Sequence, residues 1–205
     1  EMCIRDRSVE TMESEADHME KITHNIAYRF RIYPNREQEV LLAKTFGCCR
    51  FLYNQMLNDK IREYEATKKM LRNTPAMYKK AYPFLKEVDS LALANVQMHL
   101  EKAYKNFFRN PKIGFPKFKS KHRSRKSYTT NVVNGNILVE SKRIRLPKLK
   151  WIAMKKHREP AENCRLKSVT VSMEPSGKYF ASLLYEGYSL SLIHISEPTR
   201  QEAIS

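Results

Sequence analysis

The strongest constraint on this chain is a basic segment at residues 102–158, which holds eighteen Lys or Arg and one acid, Glu140. The segment therefore carries a net charge of +17 (eighteen minus one), while the whole 205-residue chain carries +16. Cations at this density neutralise phosphates and release counterions, and exposed aromatic rings among them can stack on unpaired bases. The pattern favours a nucleic-acid partner over a solvated basic face. A membrane surface is the weaker rival, because no uninterrupted amphipathic helix runs through the segment.

Composition excludes several classes of protein. Hydrophobic residues make up 41% of the chain, which is enough for a folded core. There is no apolar run long enough for a transmembrane helix and no secretory h-region, so we expect a cytoplasmic protein. The four cysteines form no Cys-x-x-Cys pair, so this stretch predicts no zinc ribbon and no metal site. Adjacent Cys48 and Cys49 are expected to be buried residues at the start of a helix.

The first half of the chain predicts one strand followed by helices. Apolar residues alternate over 26–32, which indicates a half-buried strand that ends at Pro34. Asn35 with Gln38 predicts a capping box and a helix through Phe46. A second helical pattern runs from residue 50 to residue 64, and a third begins at residue 89 or 90 and ends at residue 110. Phe46, Tyr53 and Tyr64 are predicted core residues.

The second half predicts an extended basic arm at residues 111–127 and then short strands. Strand patterns occupy 128–133, 137–139, 143–146, 151–154, 168–173 and 178–184, with turn signals at Asn134-Gly135 and at 174–177. The predicted fold class is α+β: a small antiparallel β-barrel or curled sheet, oligonucleotide-binding-like, interrupted by a helical insertion. The predicted divisions are a flexible leader at 8–25, the first strand at 26–34, the insertion at 35–110, the arm, and barrel strands at 128–188.

The two ends break this pattern. Residues 190–200 (LSLIHISEPTR) resemble the translation of a transposon-end adapter used in sequencing libraries, and residues 1–7 (EMCIRDR) resemble the same oligonucleotide read from its other strand. We interpret 1–7 and 189–205 as artefacts of this kind and leave both outside fold reasoning. The alternative is that they are ordinary termini. On the first interpretation the natural polypeptide continues beyond residue 189.

Eight sequence blocks, in order, together resemble the N-terminal half of TnpB (OrfB-type) transposon proteins. Any one of these blocks is weak, but their order and spacing match over roughly residues 27–186. The blocks are 28–34 (YRFRIYP), 46–54 (FGCCRFLYN), 87–93 (EVDSLAL), 103–109 (AYKNFFR), 114–120 (GFPKFKS), 127–128 (SY), 146–149 (LPKL), and 167–170 (KSVT) leading into 175–180 (PSGKYF).

The resemblance implies a specific activity for the parent family. TnpB proteins are RNA-guided DNA endonucleases that hold a guide RNA and cut a double-stranded DNA target with a RuvC-like domain. Their N-terminal half is a wedge barrel split by a helical recognition insertion. The family would need Mg²⁺ at the RuvC-like site and Zn²⁺ at a C-terminal ribbon. No Asp follows Asp89 here, so we expect this chain to bind without cleaving and to hold no cofactor.

The candidate binding residues are mostly cations of the arm, with a few polar and aromatic neighbours. Alternatives stay open for several: Phe115 and Phe118 could anchor a core, Arg50 and Asn54 could be solvated, Ser90 could belong to a plain helix cap, and the arm could be a solvated tail. The candidates are Arg29, Arg31, Arg50, Asn54, Ser90, Lys105, Arg109, Lys112, Phe115, Lys117, Phe118, Lys119, Lys121, Arg123, Arg125, Lys126, Tyr128, Asn134 and Lys148.

Two other functions compete with the nucleic-acid-binding portion of such an endonuclease. One is a self-contained basic DNA- or RNA-binding regulator without nuclease activity. The other is an inactive remnant of an insertion element. The partners expected on the leading hypothesis are a guide RNA and double-stranded DNA, with no membrane.

Overall fold

The computed structural model of the chain describes residues 19–160 and 163–192. The predicted artefact at 1–7, the leader up to residue 18 and the residues after 192 lie outside this range. Short 3₁₀ turns occur at Pro83–Lys86 and Pro111–Ile113. The helices and strands are β1 (Met19–Tyr33), α1 (Arg36–Thr67), α2 (Pro75–Ala81), α3 (Ser90–Arg109), β2 (Lys126–Asn131), β3 (Leu138–Val139), β4 (Arg143–Leu146), β5 (Lys150–Lys155), β6 (Cys164–Met173) and β7 (Tyr179–Leu192).

The seven strands of the described residues form one antiparallel sheet in the order β2-β6-β7-β1-β5-β4-β3. The α+β class and the antiparallel pairing agree with the sequence prediction. The sequence predicted a small antiparallel barrel or a curled sheet, and within the described residues the terminal strands β2 and β3 do not pair with each other. The sheet is curled into a half-barrel. Strand β1, the first of the described strands, lies in the middle of the sheet, paired with β7 on one side and β5 on the other.

Strand β1 shows the predicted alternation of buried and exposed residues. Phe30 and Ile32 are buried at 1% and 2% exposure. Arg29, which precedes Phe30, and Arg31, which lies between the two apolar residues, are exposed. Such alternation is what a strand with one covered face requires. The strand begins at Met19 rather than at Ile26, because β7 is long enough to supply backbone partners along the additional residues.

Helix α1 is a single helix of 32 residues, so the prediction of two separate helices was wrong. Its first turn carries the predicted capping box, in which Asn35 and Gln38 exchange side-chain to backbone hydrogen bonds of 2.9 and 3.0 Å. Cys48 and Cys49 are buried as expected, but at mid-helix. The helix continues through Gly47 because its neighbours pack on the core. No helix in the described part of the chain is long and apolar enough to cross a membrane.

Helix α1 connects distant parts of the sheet. Near its start, the Gln38 amide donates to the backbone oxygens of Leu149 and Trp151 at 2.9 and 2.8 Å, at the beginning of β5. Further along, the Phe46 ring lies 5.9 Å from the Tyr128 ring of edge strand β2. The helix therefore contacts one strand on each side of β1 in the strand order, β5 on one side and β2 on the other. The core lies between the helices and the sheet.

Candidate nucleic-acid interface

The basic arm, residues 111–125 between α3 and β2, is tied to α1 through Asn54. The Asn54 side chain donates to the backbone oxygen of Lys119 at 2.9 Å and accepts from the backbone amide of Lys119 at 2.7 Å. A neighbouring strand would bond the N–H and the C=O of a residue in the same way, so these two hydrogen bonds fix the arm to α1 at Lys119. Asn54 was predicted to contact nucleic acid, but its amide is occupied within the chain, so its role in this structure is to position Lys119.

The side chain of Lys119 is held over an aromatic ring. Its ammonium nitrogen lies 4.1 Å from the centre of the Tyr53 ring, a cation–π contact. Burial lowers the pKa of Lys119, and the charge interaction with Cys49 partly opposes this. No carboxylate of the described residues forms an ion pair with Lys119. The structure thus presents a partly desolvated cation without a counterion.

Nine of the other predicted cations, on α3, on the arm, at the start of β2 and at the turn before β5, lie on the surface. Within the described residues none of them forms an ion pair with a carboxylate, so their charge faces solvent. Such unpaired cations can neutralise phosphates without first breaking an internal ion pair. These exposed cations are Lys105, Arg109, Lys112, Lys117, Lys121, Arg123, Arg125, Lys126 and Lys148.

The arm separates two concave surfaces. One is a cavity of about 320 Å³ between α1, α3 and the end of the arm. The other, of about 500 Å³, lies between the arm and the turn that joins β6 to β7, where Arg29 and Arg123 are among the lining residues. Both cavities are lined by Ser124, Arg125 and Lys126. The end of the arm and the start of β2 therefore offer cations to both cavities.

The two arginines of β1 differ in how much of their charge is free. Arg29 forms an ion pair with Glu174, and its guanidinium lies 4.0 Å from the centre of the Phe180 ring. Arg31 lies 4.9 Å from the Tyr33 ring centre and makes no ion pair with a described residue. Both side chains lie on the polar face of β1, as predicted, but only the charge of Arg31 is uncompensated.

The predicted aromatic contacts fall into two groups. Phe115 is 44% exposed and packs edge-on against Tyr104 and Phe107, with ring centres 5.5 and 5.4 Å apart. Phe118 is 56% exposed. Tyr128, in contrast, is only 5% exposed, and burial raises its pKa. Its ring belongs to the core and has no free face for a base, which corrects the sequence prediction for this residue.

The start of α3 is a plain helix cap. The Asp89 carboxylate accepts from the Leu91 amide at 3.0 Å and from the Thr130 hydroxyl at 2.5 Å. The first-turn amide that a phosphate would approach is therefore occupied by a side chain of the same chain. Ser90 is exposed, and its hydroxyl accepts from Lys79 at 2.8 Å. This outcome matches the alternative kept open from the sequence.

Two further predictions concern exposed positions. Asn134 lies in the predicted turn with φ of 48°, followed by Gly135 with φ of 69°, and its side chain is exposed. Tyr64 was predicted to be a core residue, and this prediction was wrong, because its side chain is 50% exposed. It lies near the end of α1, beyond Lys60, which is the last buried residue of that helix. Phe46 and Tyr53, each 6% exposed, are core residues as predicted.

Sequence reasoning missed three residues that line the smaller cavity: His99, Ser124 and Ser127. The serines lie inside the basic run, where hydroxyls beside cations could have indicated phosphate binding. His99 follows the buried Val96 of α3 by three residues, but its approach to the arm depends on the tertiary fold. Burial lowers the pKa of His99, and nearby Lys119 and Lys102 lower it further. Within the described residues there is no cluster of three or more His, Cys, Asp or Glu that could hold a metal ion.

A family model described as a helix-turn-helix domain of the OrfB/IS605 type matches residues 19–69 of the chain. In the structure these residues are β1, α1 and the short segment around the Lys68 helix cap. The matched segment therefore contains a strand and one continuous helix, and not two helices joined by a turn.

Three relatives match larger parts of the chain. A putative RNA-guided DNA endonuclease of Streptomyces pristinaespiralis is 32% identical over 78% of this chain and 41% of its own length. The putative RNA-guided DNA endonuclease InsQ of Escherichia coli K12 is 31% identical over 83% of this chain and 42% of its own length. Virulence protein VsdF of Salmonella dublin is 36% identical over 44% of this chain and 89% of its own length.

The chain spans about two fifths of the length of the two endonuclease relatives. The OrfB-type family model and the two endonuclease relatives agree with the resemblance that the order of the sequence blocks indicated. The exposed cations of the arm lie within the part of the chain that resembles the family. The chain belongs to the TnpB (OrfB-type) family.

Proposed function

We propose that this chain is the nucleic-acid-binding N-terminal portion of a TnpB-like, RNA-guided DNA endonuclease. It would bind the guide RNA and the double-stranded DNA target in the cytoplasm. The relatives that cover most of the chain carry the description of RNA-guided DNA endonucleases, which supports both partners.

We further propose that the curled sheet serves as the wedge barrel of the family and that residues 35–110 serve as its recognition insertion. Support comes from the order of the elements, since three helices separate β1 from the strands that follow it. Support also comes from Arg31 and the arm, which present cations beside the same sheet.

The observation that carries the proposal is the uncompensated charge of the arm. Its exposed cations make no ion pairs with described carboxylates, and the arm is fixed to α1 through Asn54. A fixed row of free cations is suited to a phosphate backbone. We propose that binding and not cleavage is what this chain contributes, since the RuvC-type site of the family needs several carboxylates and no Asp follows Asp89 here. We derive no metal-dependent step from this chain.

Salt dependence tests the proposal. Binding of a structured RNA and of a duplex DNA to the chain would be measured by fluorescence anisotropy between 50 and 400 mM KCl. Replacing Lys117, Lys121 and Arg123 together by neutral residues should reduce the slope of log K against log salt by about 2 to 3. The matched control removes Lys69, Arg72 and Lys80, which are exposed and lie outside the arm in sequence.

Binding that does not depend on salt, or an equal loss in the control, would contradict the proposed interface. Magnesium-dependent cleavage of the duplex by the same protein would contradict the non-cleaving role.

A second candidate function is a stand-alone basic regulator. The match to VsdF favours this function. It covers 89% of the length of VsdF, so the region shared with this chain makes up nearly all of that relative. Sequencing the adjoining DNA separates the two functions. A reading frame that continues into further carboxylates and Cys-x-x-Cys pairs supports the endonuclease portion, and a stop codon near residue 186 supports the regulator.

A further inference from the structure

The smaller cavity beside the arm, here called the arm pocket, has an apolar floor and a cationic rim. Phe46, Cys49 and Val96 form its buried part, at 5–6% exposure. Above them the rim contains only basic and neutral polar side chains. These rim residues are Arg50, His99, Lys119, Ser124, Arg125, Lys126 and Ser127.

The charges of the arm pocket are unbalanced. Four cations reach it from α1, the arm and the start of β2, and no Asp or Glu is among its lining residues. None of the four forms an ion pair with a described carboxylate. Gathering like charges around a partly enclosed space costs electrostatic free energy, which an anion in that space would offset. The Ser124 and Ser127 hydroxyls add neutral donors of the kind that phosphate oxygens accept.

One of the four cations is fixed before any ligand arrives. Asn54 holds both the N–H and the C=O of the Lys119 backbone, an arrangement here called the Asn54 clamp. The ammonium nitrogen of Lys119 lies 4.1 Å from the centre of the Tyr53 ring. A side chain ordered in advance loses less conformational entropy when a ligand binds. Arg50 precedes Asn54 by one turn of α1, so the same helix supplies a second cation and the clamp.

We propose that the arm pocket binds one phosphodiester group of a nucleic-acid backbone as a defined site, distinct from the diffuse attraction of the surrounding charges. The inference rests on the proposed nucleic-acid-binding function and adds to it a particular position. Lys119 and Arg125 would contact the phosphate oxygens, and Asn54 would be a positioning residue.

The test compares Lys119→Met with Lys117→Met, since Lys117 is an exposed cation two residues away that does not line the arm pocket. The first probe is inorganic phosphate at 10 mM against chloride of equal ionic strength. Phosphate should raise the melting temperature of the wild type and of K117M by a few degrees, as a ligand of the folded state does, and should have no such effect on K119M. Lys119→Arg should restore most of the shift.

The second probe is a 20-nucleotide poly-dT strand in 0.1 M salt. Its affinity should fall about tenfold in K119M, as expected for one lost charge-assisted hydrogen bond, and about threefold or less in K117M. If K119M does not fold, Arg125→Gln against Arg123→Gln repeats the comparison with exposed residues, of which only Arg125 lines the pocket.

Equal losses of poly-dT affinity in K119M and K117M, without a phosphate-specific melting shift, would overturn the site while leaving the proposed function intact. A Lys119-dependent phosphate shift in a protein that does not bind poly-dT or structured RNA would mean that the pocket takes a free anion. That result would overturn the inference and count against the proposed function as well.

Discussion

The Asn54 side chain on α1 binds the backbone of Lys119 in both directions, at 2.9 and 2.7 Å, across 65 positions of sequence. A single amide therefore stands in for a strand neighbour along part of the arm. A segment so rich in cations would otherwise be extended by its own repulsion. The clamp fixes which way the Lys119 side chain points, and the cavity beside it depends on that direction.

Replacing Asn54 by Ala should weaken both stability and binding. The variant leaves the amide and the carbonyl oxygen of Lys119 without their partner, which should cost about 1 to 3 kcal/mol of unfolding free energy in urea titrations. Poly-dT affinity should fall as well, because Lys119 is no longer held. Gln55→Ala is the matched control, since the Gln55 amide makes only a long 3.4 Å contact to Asp59. A control that lost as much as N54A would show that the clamp is unimportant.

Replacing Tyr128 should affect folding and not recognition. The ring is buried and packs against Phe46, so Tyr128→Ala should cost about 3 to 5 kcal/mol in chemical unfolding. Tyr128→Phe keeps the ring and should bind nucleic acid like the wild type within about twofold. A large loss of affinity in the folded Y128F variant would restore the stacking role that the sequence suggested.

Replacing Phe118 should affect nucleic-acid binding and not folding, in contrast to Tyr128. Its side chain is 56% exposed, so Phe118→Ala should change the unfolding free energy by less than about 0.5 kcal/mol. If the ring stacks on a base, affinity for single-stranded RNA should fall by about 1 to 3 kcal/mol. Met98→Ala, another exposed apolar residue at 56%, controls for the loss of apolar surface. Equal affinity of F118A and wild type in anisotropy titrations would exclude stacking at this position.

Stability should fall at alkaline pH because of buried thiols and phenols. Burial raises the pKa of Cys49 from 9.0 to about 12, and desolvation also raises the pKa of Cys48 and of Tyr128. A raised pKa means that the folded state holds the proton more tightly than the unfolded chain. For Cys49 this contribution is complete below pH 9 and is lost as the pH rises from 9 toward 12, at up to about 1.4 kcal/mol per pH unit.

Urea titrations at pH 7, 9 and 10.5 measure this slope. Cys49→Ala should unfold with a shallower dependence on pH between 9 and 10.5 than the wild type. Iodoacetamide at pH 8 should spare Cys49 in the native protein and label it in urea, since the thiolate is the reactive form. An unchanged slope in C49A would show that this thiol does not contribute.

Local patterns predicted most of the elements because their causes are local. The alternation around Phe30 and Ile32 and the Asn35–Gln38 capping box each depend on a few neighbouring residues, and both appear in the structure. The break predicted in α1 was wrong for a non-local reason. The sheet and α3 supply packing for the buried Cys48 and Cys49, and this outweighs the weak helix propensity of Gly47.

The candidate site was only partly predictable for the same reason. Charge density along the sequence identified the arm, and the exposed cations follow from it. Nothing within ten residues of Asn54 indicates that its partner is the backbone of Lys119. Tyr128 and Phe118 are both aromatic residues in a basic stretch, but the Tyr128 side chain is 5% exposed and the Phe118 side chain is 56% exposed. Contacts between distant segments decide such roles, and a single sequence does not encode them as a local pattern.

The central position of β1 has a consequence for how the protein is made. Phe30 lies opposite Ala181, so β1, the first of the described strands, pairs with a strand that is synthesised 151 residues later (181 minus 30). At ordinary translation rates the first strand waits on the order of ten seconds for that partner, while α1 and α3 can form locally. Until β7 is made, the apolar side chains of β1 lack the neighbours that cover them in the sheet, and long-range strand pairing of this kind is slow and exposes a chain to aggregation.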